Sequence, residues 1–94
     1  MNLKENLLIT VSEECDEIGE AVSKTLRFGY VDSNTYQIMY EFYHLCTMIE
    51  MCQDIGILPK MTDEDRDAIM SEKKQKVRTY QEVSRQNGTL KEDE

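Results

Sequence analysis

The stretch LLITVSEECDEIGEAVSKTLRFG, residues 7 to 29, decides the fold, because apolar side chains recur in it at steps of three and four residues. The members of this stripe are Leu8, Val11, Cys15, Ile18, Val22 and Leu26. Such spacing places them on one face of an α-helix and predicts a helix with one side against a core. Asn2 is suited to cap the start of this helix, and Gly29 is suited to end it.

A second helix is predicted from about Asn34 to Asp54, with Asp32 or Ser33 as its N-cap. Its core face carries Ile38, Phe42, Leu45, Ile49 and Cys52. Three methionines and a further cysteine lie on its other sides. A helix that is apolar nearly all round should be central in a bundle or lie at a subunit interface.

The third helix is predicted over 63–86, after Pro59 has broken the second, with Thr62 and Asp65 as a capping-box-like start. It is largely solvated, and its apolar stripe is thin: Ile69, Val77, Tyr80 and Val83. Residues 91–94 are predicted to be a flexible acidic tail. The fold class is therefore all-α, an antiparallel bundle of three main helices in a single domain over residues 1–90, completed by oligomerisation.

The composition excludes several classes of protein. The chain has 94 residues, room for one hydrophobic core, and 39% of them are hydrophobic. Its 19 acidic and 11 basic residues give a formal charge of −8, which argues against a protein that grips DNA or RNA phosphates. No apolar run is long enough to cross a membrane, and three cysteines without zinc-site spacing predict free, mostly buried thiols in a reducing, cytoplasmic compartment.

Acidic residues form the most unusual pattern in the chain. EECDE, residues 13 to 17, places four carboxylates in five positions, and like charges this close destabilise a helix. Glu14 and Glu17 are three residues apart beside the apolar stripe, and Glu41 and His44 repeat that spacing on the second helix. Adjacent helices would bring these four side chains to a common edge of the core. Mg²⁺ would neutralise them there, because it takes carboxylate oxygens and bridges to substrate phosphates.

Simpler explanations stand beside this metal site. Acids in the middle of a helix are most often a solvated face, although an unpaired Glu41 would be costly in the least polar helix of the chain. A lone histidine is more often a satisfied buried side chain than a ligand. Glu41 and His44 also match half of the E-x-x-H pattern of di-iron bundles, which would need a symmetric partner to supply a second histidine. A purely structural adaptor is a further alternative.

Basic residues could meet the phosphates of a nucleotide bound to the metal. Lys24 and Arg27 lie one to three turns beyond the acids on the first helix, and Lys73 and Lys76 lie on the third. On a charged helix such residues are usually solvated surface. The tyrosines of the second helix are suited to the core or an interface, although one near the site could stack on a base.

Three segments of the chain resemble a known family. LLITVSEECDEIGEAVSKTLRFG (7–29), EFYHLCTMIEM (41–51) and KKQKVRTYQEVSRQNGTL (73–90) are similar to small, phage-type members of the MazG-like all-α nucleoside triphosphate pyrophosphohydrolases. The hallmark of the family is E-E-x-x-E on one helix and E-x-x-D on the next. The first half is intact here as Glu13, Glu14 and Glu17, whereas His44 stands where the family has aspartate.

The resemblance implies a helical bundle that assembles as a homodimer or homotetramer, binds Mg²⁺ and hydrolyses (d)NTPs to the nucleoside monophosphate and pyrophosphate. By that resemblance Glu14, Glu17 and Glu41 would be metal ligands with His44 as the fourth, and Glu13 would hold or deprotonate the attacking water. An imidazole at position 44 favours Mn²⁺ or another transition metal. The phage-type resemblance would place the protein in the cytoplasm of an infected bacterial cell.

Two functions therefore stay open from the sequence. The first is a metal-dependent nucleoside triphosphate pyrophosphohydrolase. The alternative, motivated by His44, is a catalytically degenerate relative that binds or sequesters a nucleotide or a nucleotide-derived signal. The acidic and basic residues would bind the metal and the phosphates of a nucleotide. They do not indicate which base or sugar is preferred.

Overall fold

The computed structural model describes residues 1–91 and contains three α-helices in that range. They are α1 (Leu3–Phe28), α2 (Asp32–Asp54) and α3 (Asp63–Gln86). No strand is present between residues 1 and 91, so the all-α prediction is confirmed. The predicted acidic tail lies outside the described residues from position 92 onward.

The starts of α1 and α3 are capped by the residues that the sequence indicated. Oδ1 of Asn2 accepts a hydrogen bond from the backbone N–H of Glu5 at 2.9 Å, and Oγ1 of Thr62 accepts one from Asp65 at 3.1 Å. Each bond satisfies a backbone donor that has no partner inside its helix. Gly29, just after α1, has a φ of +114°, a conformation that favours glycine.

The second helix begins two residues earlier than predicted, at Asp32. Its N-cap is Val31, which makes no side-chain capping bond, so the predicted cap at Asp32 or Ser33 is wrong. Nδ2 of Asn34 donates instead to the carbonyl oxygen of Gly29 at 2.9 Å. This bond ties the first turn of α2 to the end of α1, across a connection of three residues.

The chain divides into two compact units, Met1–Lys60 and a second that begins at Met61. The first is a helical hairpin in which α1 and α2 pack against each other. Glu14 lies beside His44, and Glu17 lies beside Glu41, so the two helices are antiparallel. The second unit contains α3. A bundle of all three helices and a single domain over residues 1–90 stay predictions.

The inner faces of the hairpin follow steps of four and three residues, the spacing of helices that pack along a heptad repeat. We call these buried or half-buried residues the seam: Leu7, Val11, Glu14, Ile18, Ala21 and Thr25 on α1, and Ile38, Glu41, Leu45, Met48 and Cys52 on α2. Most of them are apolar or small. Glu14 and Glu41 therefore occupy positions that packed helix pairs usually fill with apolar side chains.

Most of the apolar stripe predicted for α1 lies beside the seam and not in it. Val11 and Ile18 belong to both, but the other members are exposed: Leu8, Cys15, Val22 and Leu26. Each of these follows a seam residue by one position, which is about 100° around the helix. The small residues Ala21 and Thr25 face α2 instead, and the buried hydroxyl of Thr25 is satisfied by donating to the carbonyl of Ala21 at 3.0 Å.

The same offset appears on α2, where Phe42 was expected in the core and is 42% exposed. The cysteines are free thiols, as predicted, but Cys15 and Cys46 are exposed and Cys52 is buried, so the expectation of mostly buried thiols is wrong. We call the exposed side chains that follow seam positions the apolar flank: Leu8, Cys15, Val22, Leu26, Met39, Phe42 and Cys46. It is an apolar surface on one side of the hairpin.

The third helix carries no buried residue, as expected for a largely solvated helix. Its predicted stripe is exposed as well, with Tyr80 at 70%. Acidic side chains fill its first turn, where they complement the positive end of the helix dipole. Within residues 1–91, none of the helices is both long and apolar enough to cross a membrane.

Candidate metal centre

The first helix supplies a glutamate to the middle of the seam. Glu14 lies there because the four-and-three spacing from Leu7 through Val11 brings its position toward α2. Its side chain is 17% exposed, and its Oε2 atom is buried. That oxygen accepts no hydrogen bond from any of residues 1–91. A carboxylate oxygen held in this way loses its hydration without a replacement, which is costly.

The second helix places another glutamate opposite. Glu41 is 9% exposed, and its Oε1 atom accepts a hydrogen bond of 2.7 Å from Nε2 of Gln37, one turn earlier on the helix. Its Oε2 atom is buried and, within the described range, has no hydrogen-bond partner. We call Oε2 of Glu14 and Oε2 of Glu41 the two buried oxygens.

The imidazole of His44 faces both glutamates. Its Nδ1 atom lies 3.5 Å from Oε2 of Glu41 and 3.8 Å from Oε2 of Glu14. The side chain is 43% exposed, so the ring stands at the edge of the seam, between the two buried oxygens and solvent. The ring of Tyr40 packs against it, with 4.2 Å between ring centroids.

Glu17 completes the group from the exposed side of α1. Its carboxyl lies near that of Glu41, and the interaction with Glu41 is the largest of those that raise the pKa of Glu17. The negative charges of Glu14 and Glu41, partial desolvation and the charge of Glu20 raise that pKa further. Negative charge is therefore crowded at this point of the hairpin.

Together these residues form a compact set of ligand atoms. One atom from each of Glu14, Glu17, Glu41 and His44 lies within 4.8 Å of the other three. We call these four residues the cluster. Carboxylate oxygens suit Mg²⁺ and Mn²⁺, and an imidazole suits Mn²⁺ and later transition metals. A divalent cation fits the donor set, because it would neutralise the carboxylates and give the two buried oxygens the partner that they lack among residues 1–91.

A groove of about 330 Å³ opens beside the cluster and runs toward the turn of the hairpin. Glu17 and Glu41 border it at the cluster, and Glu20 and Lys24 border it further along α1. Ser33 and Gln37 line it from α2. Lys24 brings a positive charge to this mainly acidic lining.

The remaining residues predicted for the site are not members of the cluster. Glu13 is exposed and precedes Glu14 by one position, which turns its side chain toward the outside of α1. Arg27 is exposed in the last turn of α1, with its guanidinium carbon 6.0 Å from the centre of the Phe28 ring. Lys73 and Lys76 belong to α3 in the second unit, where Nζ of Lys76 lies 3.0 Å from Oε1 of Glu72.

Sequence reasoning missed two residues that touch the cluster, Gln37 and Tyr40. Both precede a member of the cluster by four positions, so the i to i+4 spacing of a helix was the signal that could have found them.

Comparison with known proteins yields no match: no protein-family model, no curated protein and no solved structure is similar to the chain. The MazG-like resemblance therefore stays a prediction.

Proposed function

We propose that the hairpin binds Mg²⁺ or Mn²⁺ through Glu14, Glu17, Glu41 and His44 and hydrolyses nucleoside triphosphates, as the resemblance to MazG-like pyrophosphohydrolases implies. The observation that carries the proposal is the pair of buried oxygens within the cluster. Buried carboxylates that do not bind a cation are disfavoured by desolvation and by repulsion between them. Replacing them by apolar residues would be the simpler way to pack the seam.

In this proposal the residues of the chain have separate roles. Glu14 and Glu41 would hold the cation from the seam, and Glu17 and His44 would hold it from the solvent side. A bound cation would offset the charge of the triphosphate and increase the acidity of nearby water. Glu13, exposed one position before Glu14, would accept the proton of the attacking water. The oxygen of that water bonds to one phosphorus of the α–β bridge as the bond from that phosphorus to the bridging oxygen breaks. The group on the other side of the bridge leaves with the electron pair: pyrophosphate if the α-phosphorus is attacked, the nucleoside monophosphate if the β-phosphorus is.

Positive residues would bind the rest of the triphosphate. Lys24 is placed for this in the groove, and Arg27 lies one turn further along α1. Lys73 and Lys76 on α3 stay predictions from the sequence, and Nζ of Lys76 lies 3.0 Å from Oε1 of Glu72. None of these contacts selects a base, so we propose no preferred nucleotide.

The test is incubation with a panel of NTPs and dNTPs, in Mg²⁺ and separately in Mn²⁺, with detection of monophosphate and pyrophosphate. We expect product from the wild type, more of it in Mn²⁺ because of His44, and none from Glu14→Gln. Glu50→Gln is the matched control, since Glu50 is an exposed glutamate of α2 outside the cluster. Equal turnover by wild type and Glu14→Gln would contradict the proposal.

The second candidate is a relative that binds a nucleotide, or a signal derived from one, without cleaving it. The position of Nδ1 of His44 favours it, because a protonated imidazole 3.5 and 3.8 Å from the two buried oxygens would itself supply positive charge. Calorimetry with the same nucleotides distinguishes the candidates: affinity without turnover supports the binder, and absence of affinity with or without metal removes it.

We further propose that the protein is a homodimer or homotetramer in which the apolar flank is covered by another copy of the chain. Leu26 is 68% and Met39 is 47% exposed in the single chain, and exposed apolar patches of this kind often mark interfaces. Light scattering should give a multiple of the 11.0 kDa chain mass. Val22→Glu should lower that mass, and Tyr30→Glu, an exposed position outside the flank, should not.

A further inference from the structure

Both members of the cluster on α2 are contacted by the residue four positions before them. Gln37 contacts Glu41 through a hydrogen bond, and Tyr40 contacts His44 through its ring. One contact is a hydrogen bond and the other is between two rings. Both span one helical turn on the same side of α2. Neither Gln37 nor Tyr40 is a proposed ligand, so each would act through the residue it touches.

The bond from Gln37 fixes which oxygen of Glu41 faces the cluster. The terminal torsion of a glutamate has broad preferences, so the carboxylate can turn unless one oxygen is held. Nε2 of Gln37 holds Oε1 at 2.7 Å, which leaves Oε2 directed toward His44 at 3.5 Å. Since Glu41 is 9% exposed, water has little access to do the same.

The ring of Tyr40 restricts His44 in a comparable way. The second side-chain torsion of a histidine is also broad, and at 43% exposure the imidazole has room to turn. The two rings are 4.2 Å apart between centroids, with an angle of 57° between their planes. In this arrangement Nδ1 faces the carboxylates of Glu14 and Glu41.

We propose that Gln37 and Tyr40 are positioning residues that hold Glu41 and His44 in the orientation in which they bind a divalent cation. This inference rests on the proposed metal site. Removal of a hydrogen-bonding partner of a metal ligand typically changes metal affinity by about 10- to 100-fold, and we expect an effect of the same order from the ring of Tyr40. Tyr40 would act through contact of its ring, and its hydroxyl is not required.

The first experiment titrates the full chain with Mn²⁺ and measures free Mn²⁺ by electron paramagnetic resonance. Gln37→Ala and Tyr40→Leu should each weaken binding by about 10- to 100-fold, and Tyr40→Phe should restore it. Gln53→Ala is the matched control for Gln37, because Nε2 of Gln53 also makes one bond, to the carbonyl of Pro59 at 3.2 Å. Tyr43→Leu is the control for Tyr40, since its ring packs against Phe42. Both controls should bind Mn²⁺ as the wild type does.

A second measurement separates the two roles. Pulsed electron paramagnetic resonance detects an imidazole nitrogen bound to Mn²⁺ as a modulation of the signal, which should be present in the wild type and absent in His44→Ala. Under saturating Mn²⁺, Tyr40→Leu should lose most of this modulation, whereas Gln37→Ala should keep it. A general loss of structure would not divide the two variants in this way.

Three results would overturn the inference. Wild-type affinity in correctly folded Gln37→Ala and Tyr40→Leu would remove the positioning roles and leave the metal site intact. Loss of affinity in the Gln53 and Tyr43 controls as well would show a structural effect of α2 substitutions. A wild type without Mn²⁺ binding that depends on Glu41 would remove the proposed function and this inference together. If a first variant fails to show a helical circular dichroism spectrum, Gln37→Met or Tyr40→Met replaces it.

Discussion

The glutamates of α3 and the glutamates of the seam carry the same charge in opposite surroundings. On α3, Glu72 lies 3.0 Å from Nζ of Lys76, and both side chains are more than half exposed. In the seam, Glu14 and Glu41 are mostly buried, and their ion-pair partner is His44, which is charged only when protonated. Glu72 is hydrated and paired with a lysine, whereas Glu14 and Glu41 are dehydrated and crowded.

The difference shows that the buried glutamates, and not the exposed ones, need a functional explanation. An exposed ion pair along a helix changes stability by a few tenths of a kcal/mol, so its sequence is weakly constrained. Buried like charges are unfavourable by several kcal/mol unless a cation or hydrogen bonds compensate for them. The overall charge of the chain therefore does not identify a candidate functional site. The position of each acidic residue relative to the seam does, because only the buried acids are costly without a cation.

The largest effect is expected when one of the two buried oxygens is removed. Glu41→Gln keeps the shape of the side chain and removes its charge, so Mn²⁺ affinity should fall by more than about 100-fold, beyond the loss typical of a residue that only supports a ligand. Glu72→Gln on α3 should leave affinity unchanged. Isothermal titration measures both affinities. Equal Mn²⁺ affinity of the two variants would contradict the distinction between the seam glutamates and those of α3.

The next effect concerns stability without metal. In the presence of a chelator, Glu41→Leu should raise the free energy of unfolding by about 1–4 kcal/mol, because an apolar side chain replaces a buried charge. Glu72→Leu should change it by less than about 0.5 kcal/mol, as exposed positions usually do. Urea denaturation followed by circular dichroism measures both. A loss of stability in Glu41→Leu would mean that the seam acid stabilises the metal-free fold.

A smaller effect should appear in the pH dependence of stabilisation by metal. The raised pKa of Glu17 means that its contribution to metal-free stability is present below its ordinary pKa and is lost as the pH rises through the raised value. A cation replaces the proton, so saturating Mn²⁺ should raise the melting temperature more at about pH 7.5 than at about pH 5. Glu17→Gln should reduce this difference, and thermal melts at the two pH values test it.

The smallest effect belongs to the solvated helix. A double-mutant cycle of Glu72→Ala and Lys76→Ala should give a coupling of about 0.3–0.5 kcal/mol, the value of an exposed pair four residues apart. High salt should reduce it further. A coupling of several kcal/mol would place Glu72 in the same class as the seam acids and end the distinction.

Much of the fold could be predicted from local patterns. The caps at Asn2 and Thr62 and the turn at Gly29 are encoded by residues next to one another, so the sequence predicts them well. The side of α1 that packs on α2 was predicted wrongly, because the stripe through Leu8 and Leu26 is more apolar than the face that is actually buried. The partner helix determines which of two adjacent faces is buried. The apolar periodicity of α1 alone does not specify that face.

At the candidate site, too, the local spacing was predicted from the sequence and the packing between helices was not. The E-x-x-E and E-x-x-H spacings predicted that Glu14, Glu17, Glu41 and His44 would meet, and the structure brings them together, while metal binding itself stays a prediction. The two buried oxygens could not be foreseen, because burial at one atom depends on the register between the helices. Glu13 was predicted from the family motif, and its exposed position follows from its being one residue from the seam.

The three-residue connection after α1 also has a consequence for the order in which the hairpin folds. Closure of a short connection is fast, so docking should start near Thr25 and Asn34 and spread away from the turn. The acids of the seam then have to come together before Leu7 and Cys52 can pack at the far end. Without a cation this step raises the folding barrier, and we therefore expect Mn²⁺ to accelerate refolding as well as to slow unfolding.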